Sequence, residues 1–226
     1  MDISVPFYSP QRIKVFLSYS TIDKNTAGVI RFELESYGYN VFLAHHDLKP
    51  SQIWVEEILK NIDECDIFLP FLTENSFNSF WVNQEIGIGF VKKKLIFPFK
   101  INLNPWGFIS QIQAYPLDAS NGTQLYNDIK IACGKIHKII INKNPEKMID
   151  TLIFALYNSG SFDTSNKIAT FLSTYPNLSA DQINEILRIS LINEQVREAY
   201  DAQKFVSKLL SKYQDVINSE LLEWFD

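Results

Sequence analysis

Trp81-Val82-Asn83-Gln84-Glu85-Ile86-Gly87 lies between two apolar runs, Asp66-Ile67-Phe68-Leu69-Pro70-Phe71-Leu72 and Lys94-Leu95-Ile96-Phe97-Pro98-Phe99-Lys100. Both runs read as short strands buried on two faces, so the segment between them is a crossover helix in a parallel sheet. On that helix Trp81 and Glu85 are four residues apart, about 40° apart around the axis and one turn along it. A flat ring and one carboxylate therefore share a face. Asn78-Ser79 offers a helix start, and Lys92-Lys93-Lys94 reads as a solvated, positively charged helix end. The spacing alone does not make Glu85 catalytic, because most carboxylates on helices are solvated or paired with a cation.

Working outward, the same alternation recurs. Arg12-Ile13-Lys14-Val15-Phe16-Leu17-Ser18-Tyr19-Ser20 is rich in β-branched and aromatic residues and reads as strand one. Asp23 opens a helix to about Tyr37, with Ala27, Ile30, Leu34 and Tyr37 on one stripe, and Gly38 stops it. Asn40-Val41-Phe42-Leu43-Ala44 is strand two. The polar loop His45-His46-Asp47-Leu48-Lys49-Pro50-Ser51 follows, then a helix capped by Ser51 with Ile53, Trp54, Ile58 and Ile62 facing inward. After strand four, a turn through Asn104-Pro105-Trp106-Gly107-Phe108 leads to a short strand over Ile112 to Leu117 and a helix from about Thr123 to Ile141. Strands alternating with helices predict a doubly wound five-stranded parallel sheet of the flavodoxin-like order.

Asn142-Lys143-Asn144-Pro145 is the best boundary, giving an α/β domain over residues 1–142 and a helical domain over 143–226. Beyond it the strand pattern ends. Helical stripes recur instead: Met148-Leu152-Ala155-Leu156, Ile168-Phe171-Leu172, Ile183-Ile186-Leu187, Phe205-Leu209-Leu210 and Val216-Leu221-Leu222.

Composition narrows the function. At 226 residues and 46% hydrophobic the chain can bury a core and is too apolar for disorder. A net charge of −5 lacks the basic face that nonspecific nucleic-acid binding needs. Cys65 and Cys133 form neither metal-ligand spacing nor a disulfide framework, and read as core thiols. No metal site and no bound cofactor are expected. The start Met-Asp-Ile-Ser-Val-Pro has no basic region followed by an apolar core, and no apolar run approaches the ~20 residues that cross a bilayer. The expectation is a cytoplasmic protein without membrane contact.

In an open parallel sheet ligands bind outside the C-terminal strand ends, where the strand order reverses. Here that crevice lies beyond strands one and three. It would be lined by Ser18-Tyr19-Ser20, by Thr73-Glu74-Asn75 and by the start of the Trp81 helix. A phosphoacceptor site for magnesium would need acidic residues at those strand ends, and Asp66 is at the wrong end of strand three. P-loop and Gly-x-Gly-x-x-Gly patterns are absent.

Residues 13–117, about half of the chain, resemble a Toll/interleukin-1 receptor (TIR) domain of the prokaryotic type. Val15-Phe16-Leu17-Ser18-Tyr19-Ser20 resembles its first box. Phe42 to Ser51, followed by Trp54, resembles its second strand and BB loop. Trp81 to Ile86 matches its Trp-x-x-x-Glu motif, and Pro105-Trp106-Gly107-Phe108 resembles a segment common in the bacterial branch. The C-terminal helices lie outside the resemblance.

The resemblance implies cleavage of the nicotinamide–ribose bond of NAD⁺, with the family's catalytic glutamate falling on Glu85. The chemistry agrees: nicotinamide is already a cationic leaving group, so one carboxylate that stabilises an oxocarbenium-like ribose suffices, where ordinary glycosides call for two. Water capturing the ribosyl cation would give ADP-ribose, and an internal nucleophile a cyclic ADP-ribose. By the same resemblance Phe16 would stack on a ring of the substrate or serve as a core aromatic. Ser18 and Tyr19 would bond ribose or diphosphate, or simply end a strand with polar groups. Trp81 would wall the pocket or pack at a helix start. Asp47 and Ser51 lie in a loop that contacts substrate or a neighbouring TIR domain, with a local turn bond as the alternative for Asp47. His45 and His46 read as solvent-exposed. The implied setting is anti-phage defence, with self-association through TIR domains and a separate effector that responds to the product. The competing reading is a scaffold that acts only through TIR–TIR contacts.

Overall fold

The computed structural model describes residues 11–43 and 54–225. The strands are β1 (Lys14–Ser18), β2 (Asn40–Leu43), β3 (Ile67–Leu72), β4 (Leu95–Ile96), β5 (Phe99–Lys100) and β6 (Tyr115–Pro116). All pair in parallel, in the order β2-β1-β3-β5-β6, with β4 beside the first half of β3. The single fourth strand expected over Lys94–Lys100 is therefore two pieces in one position. Proline has no N–H to give a ladder. At Pro98 the chain breaks step: Phe97 N–H reaches Phe68 O at 3.0 Å, and Pro98 O accepts from Tyr115 N–H at 2.8 Å. The sheet thus keeps five strand positions in the flavodoxin-like order.

The helices of this unit are α1 (Lys24–Ser36), α2 (Trp54–Glu64), α3 (Glu74–Phe77), α4 (Phe80–Val91) and α5 (Gly122–Ile140). Right-handed crossovers put α1 on one face of the sheet and α2 and α4 on the other. On the α2–α4 face, Ile58 and Ile62 of α2 and Val82 and Ile86 of α4 close over Phe16, Phe68 and Leu72. Asp23 does not open α1. It ends a 3₁₀ turn, Thr21–Asp23, that precedes the helix. Gly38, at φ +85°, follows α1 in the left-handed conformation that helix ends favour. Strand five shrinks to Tyr115–Pro116.

Two further expectations are corrected. Trp54 does not face inward but is 37% exposed. Ile53 and the Ser51 cap lie outside the described residues. Lys92 and Lys94 are not merely a solvated helix end. Lys92 Nζ lies 2.6 Å from Asp63 Oδ1, and Lys94 Nζ donates to the carbonyls of Asp63 and Cys65, pinning the end of α4 to the end of α2.

The described chain divides into two compact units, one of Ile13–Glu35 with Tyr39–Lys143, the other of Asn144 onward with Arg12 and Ser36–Gly38. The second holds α6 (Pro145–Tyr157), α7 (Phe162–Ser173), α8 (Ala180–Ile192), α9 (Glu194–Arg197), α10 (Tyr200–Lys212) and α11 (Ser219–Leu222). Its starts are written in the sequence: Asn144, Ser161 and Ser179 cap α6, α7 and α8, with Gln182 completing a capping box. Val216 is exposed rather than on a core stripe. No described helix is long and apolar enough to cross a membrane.

Candidate active site

Glu85 is carried on the buried face of α4 with Val82, Ile86 and Gly89. Ser79 caps this helix, its Oγ accepting from Val82 N–H at 3.4 Å. Glu85 is only 1% exposed, which is unusual for a carboxylate without a cationic partner. Its one described partner is Ser18, whose Oγ donates to Oε2 at 2.5 Å. Oε1 is buried with no hydrogen-bond partner among the described residues.

Ser18 is the last residue of β1 and is registered with Pro70 of β3, where the ladder between these strands ends. Strand order reverses between β1 and β3. Glu85 thus sits at the switch point, where open parallel sheets bind ligands. Burial pushes its carboxyl up to about 7, against the pull of the Ser18 hydrogen bond. Close to neutrality the group is divided between acid and carboxylate.

The other expected site residues separate. Phe16 is fully buried, stacked on Phe68 with ring centroids 5.5 Å apart and tilted against Phe42 at 5.5 Å. Its place is the core. Tyr19 is 2% exposed, follows directly on the end of β1 and is outside the Phe16–Phe68 cluster. Trp81 is half-buried and meets Trp54 edge-on, with centroids 3.9 Å apart. Asp47, Ser51, His45 and His46 lie outside the described residues. Among the described residues no group of three or more His, Cys, Asp or Glu is placed to hold a metal ion.

Sequence reasoning missed two attachments around this site. Asp23 accepts from Thr73 Oγ1 at 2.6 Å and from Asn75 Nδ2 at 2.7 Å. Thr73 in turn caps α3, a short helix in the stretch Thr73-Glu74-Asn75 that was expected to line the crevice. Trp106 Nε1 donates to Asn83 Oδ1 at 2.7 Å, and its ring meets Phe77 edge-on, fastening the Pro105–Phe108 segment to the start of α4. No local pattern pairs Asp23 with a residue fifty positions away.

A five-position parallel sheet in this order, with a carboxylate buried at its switch point, defines an open, doubly wound α/β fold. A family model described as TIR domain matches residues 15–129, just over half of the chain, and the protein belongs to that family. The TIR domain of the Toll-related receptor TRR-2 from the lower metazoan Hydra magnipapillata is similar at 18% identity and a TM-score of 0.42, covering 53% of this chain and 96% of that one. The Clostridium botulinum CMP N-glycosidase BcmB is similar at 17% identity and a TM-score of 0.38, covering 52% of this chain and 98% of that one. A search of curated proteins found no match.

Proposed function

We propose that this TIR-domain protein cleaves the nicotinamide–ribose bond of NAD⁺, with Glu85 as the catalytic residue. The observation that carries the reading is the buried Glu85 carboxyl, one oxygen held by Ser18 and the other without a partner among the described residues. A carboxyl oxygen left unsatisfied in an apolar site is costly, and a ligand that supplies positive charge or a hydroxyl relieves that cost. NAD⁺ supplies both: a pyridinium in the ground state, and ribose hydroxyls on a ring that becomes cationic as the bond breaks. The C1–N bond breaks with its electron pair leaving on nicotinamide, which departs neutral. Water adds to C1 and loses a proton, giving nicotinamide, ADP-ribose and H⁺. An adenosine-side nucleophile in place of water gives a cyclic product. The resemblance to prokaryotic TIR proteins supports reading such a product as a signal to a separate effector in anti-phage defence.

Glu85→Gln keeps the side-chain volume and removes the charge. Turnover of NAD⁺, followed by mass spectrometry of the products, should fall by at least about a thousandfold while the far-ultraviolet circular dichroism stays unchanged. Near wild-type turnover would remove Glu85 from the mechanism and leave association through the TIR domain as the better reading.

The pH dependence separates two roles for the same carboxyl. As an anion beside a cationic leaving group, Glu85 makes kcat/KM rise with pH and level off above about 7. As a general acid for a neutral leaving base it would make the rate fall through the same range. A rising limb is expected with NAD⁺.

A further inference from the structure

Besides the packing of α4 on Phe16 of β1 and the Ser18–Glu85 bond itself, two connections among the described residues link the strand that carries Ser18 to the helix that carries Glu85. One is the ladder between β1 and β3. The other runs through Asp23. After Ser18 the chain enters the turn Thr21–Asp23, closed by Asp23 N–H on Ser20 O at 2.8 Å. Both carboxylate oxygens of Asp23 are then taken, Oδ2 by Thr73 Oγ1 and Oδ1 by Asn75 Nδ2. Thr73 follows directly on β3 and caps α3, with reciprocal bonds between Thr73 and Ser76. α3 leads through Asn78 and Ser79 into α4. The ladder stops at Ser18 and Pro70, and beyond it the Asp23 bridge adds a further tie across the crevice.

We propose that Asp23 is a positioning residue: its bridge to Thr73 and Asn75 holds the β1 end against the α3–α4 turn, and so keeps Ser18 Oγ on Glu85. This rests on the reading of Glu85 given above, and deepens it by assigning what sets the geometry of the pair. A hydroxyl–carboxylate hydrogen bond weakens with distance and misalignment, so a shift of the β1 end relative to α4 weakens the Ser18–Glu85 bond. A hydroxyl that drifts from Glu85 no longer favours the charged form on which the proposed chemistry depends.

The test is the titration of the Glu85 carboxyl by carbon-13 NMR in the full-length, ligand-free protein, with the resonance assigned by its loss in Glu85→Gln. Ser18→Ala should raise the midpoint by about one pH unit. Asp23→Ala should raise it comparably, and the double variant no further than Ser18→Ala alone, because both act on one bond. Asp23→Asn keeps an acceptor oxygen on the bridge and should titrate close to wild type. A direct effect of the Asp23 charge has the opposite sign: its removal, in Ala and Asn alike, would lower the midpoint. That result, or additive shifts in the double variant, overturns the proposal. If Asp23→Ala does not fold, Asn75→Ala removes one of the two ties, and the absence of an upward shift there overturns it equally. With NAD⁺ at pH 7, Asp23→Ala should lower kcat about tenfold with KM little changed. The titration needs no substrate. NAD⁺ cleavage surviving in Glu85→Gln therefore defeats the functional reading, and the titration still decides the role of Asp23.

Discussion

The Glu85 carboxyl is ordinary in an unfolded chain and holds its proton to about 7 in the fold, because burial penalises the charge more than the Ser18 hydrogen bond favours it. Between its ordinary value of 4.5 and about 7 the folded state therefore binds more protons than the unfolded state. Its contribution to stability falls as pH rises through that window and stays low above it. His137 works in the other direction. Burial, with Lys138 adding to it, pushes its imidazole down from 6.5 to about 4, so stability is lost as pH falls through that range. A pH scan of the wild type mixes the two, and Glu85→Gln isolates the first. In urea unfolding the variant should gain on the wild type by on the order of 2–3 kcal/mol between pH 5 and pH 8. A difference that does not change with pH would mean that Glu85 ionises in the fold as it does in water.

Elements around the site are held by close approach as much as by hydrogen bonds. Gly89 lies on the buried face of α4, where an added Cβ would meet the Phe68 ring at 3.0 Å. Phe68 cannot easily retreat, since it is fully buried and stacked on Phe16 with the planes 11° apart. Helix propensity favours Gly89→Ala by about 1 kcal/mol, whereas forcing a methyl into a filled core costs about 1–3 kcal/mol. The second effect should win. A net loss of about 1 kcal/mol is expected in chemical denaturation, with a larger fall in NAD⁺ turnover, since any outward shift of α4 carries Glu85 from Ser18. A stabilised variant would show that the Phe68 ring yields. The start of α4 was legible because capping is local: Ser79 directly precedes it. The break in the fourth strand position was not read from the sequence, where Lys94–Lys100 reads as one strand; Pro98 carries the signal, but its consequence depends on the carbonyls and N–H groups that neighbouring strands present.

For the whole molecule, Glu85 and its partner Ser18, together with Asp23, Thr73, Asn75, Trp54 and Trp81, all belong to the α/β unit. A chain ending at residue 142 should therefore keep NAD⁺ cleavage and lose whatever regulation or assembly the helical unit provides. The comparison to make is NAD⁺ turnover and size in solution for soluble truncated and full-length protein. A truncated protein that folds and assembles normally but fails to bind NAD⁺ would place part of the substrate site in the helical unit. Activity per molecule should also rise with protein concentration if TIR–TIR contact completes the site. A flat profile across dilution would count against assembly-dependent catalysis.

The order of strands and helices followed from the sequence because periodicity and capping involve residues close together in the chain. Apolar runs such as Ile67–Leu72 must be buried on both faces wherever they lie, and Ser79 or Ser179 caps its helix without reference to the rest of the fold. The sequence likewise put Glu85 one turn from Trp81 and brought the TIR motifs into order. Tertiary structure decided what those residues meet. Trp81 found Trp54, Phe16 went into the core between Phe42 and Phe68, and Asp23 found Thr73 and Asn75. Ser18 and Glu85 are 67 residues apart, and their bond exists only because β1 and β3 become neighbours with α4 packed across them. A carboxylate's proton affinity depends on how much water and which donors surround it, and for Glu85 that surrounding exists only after the sheet has formed.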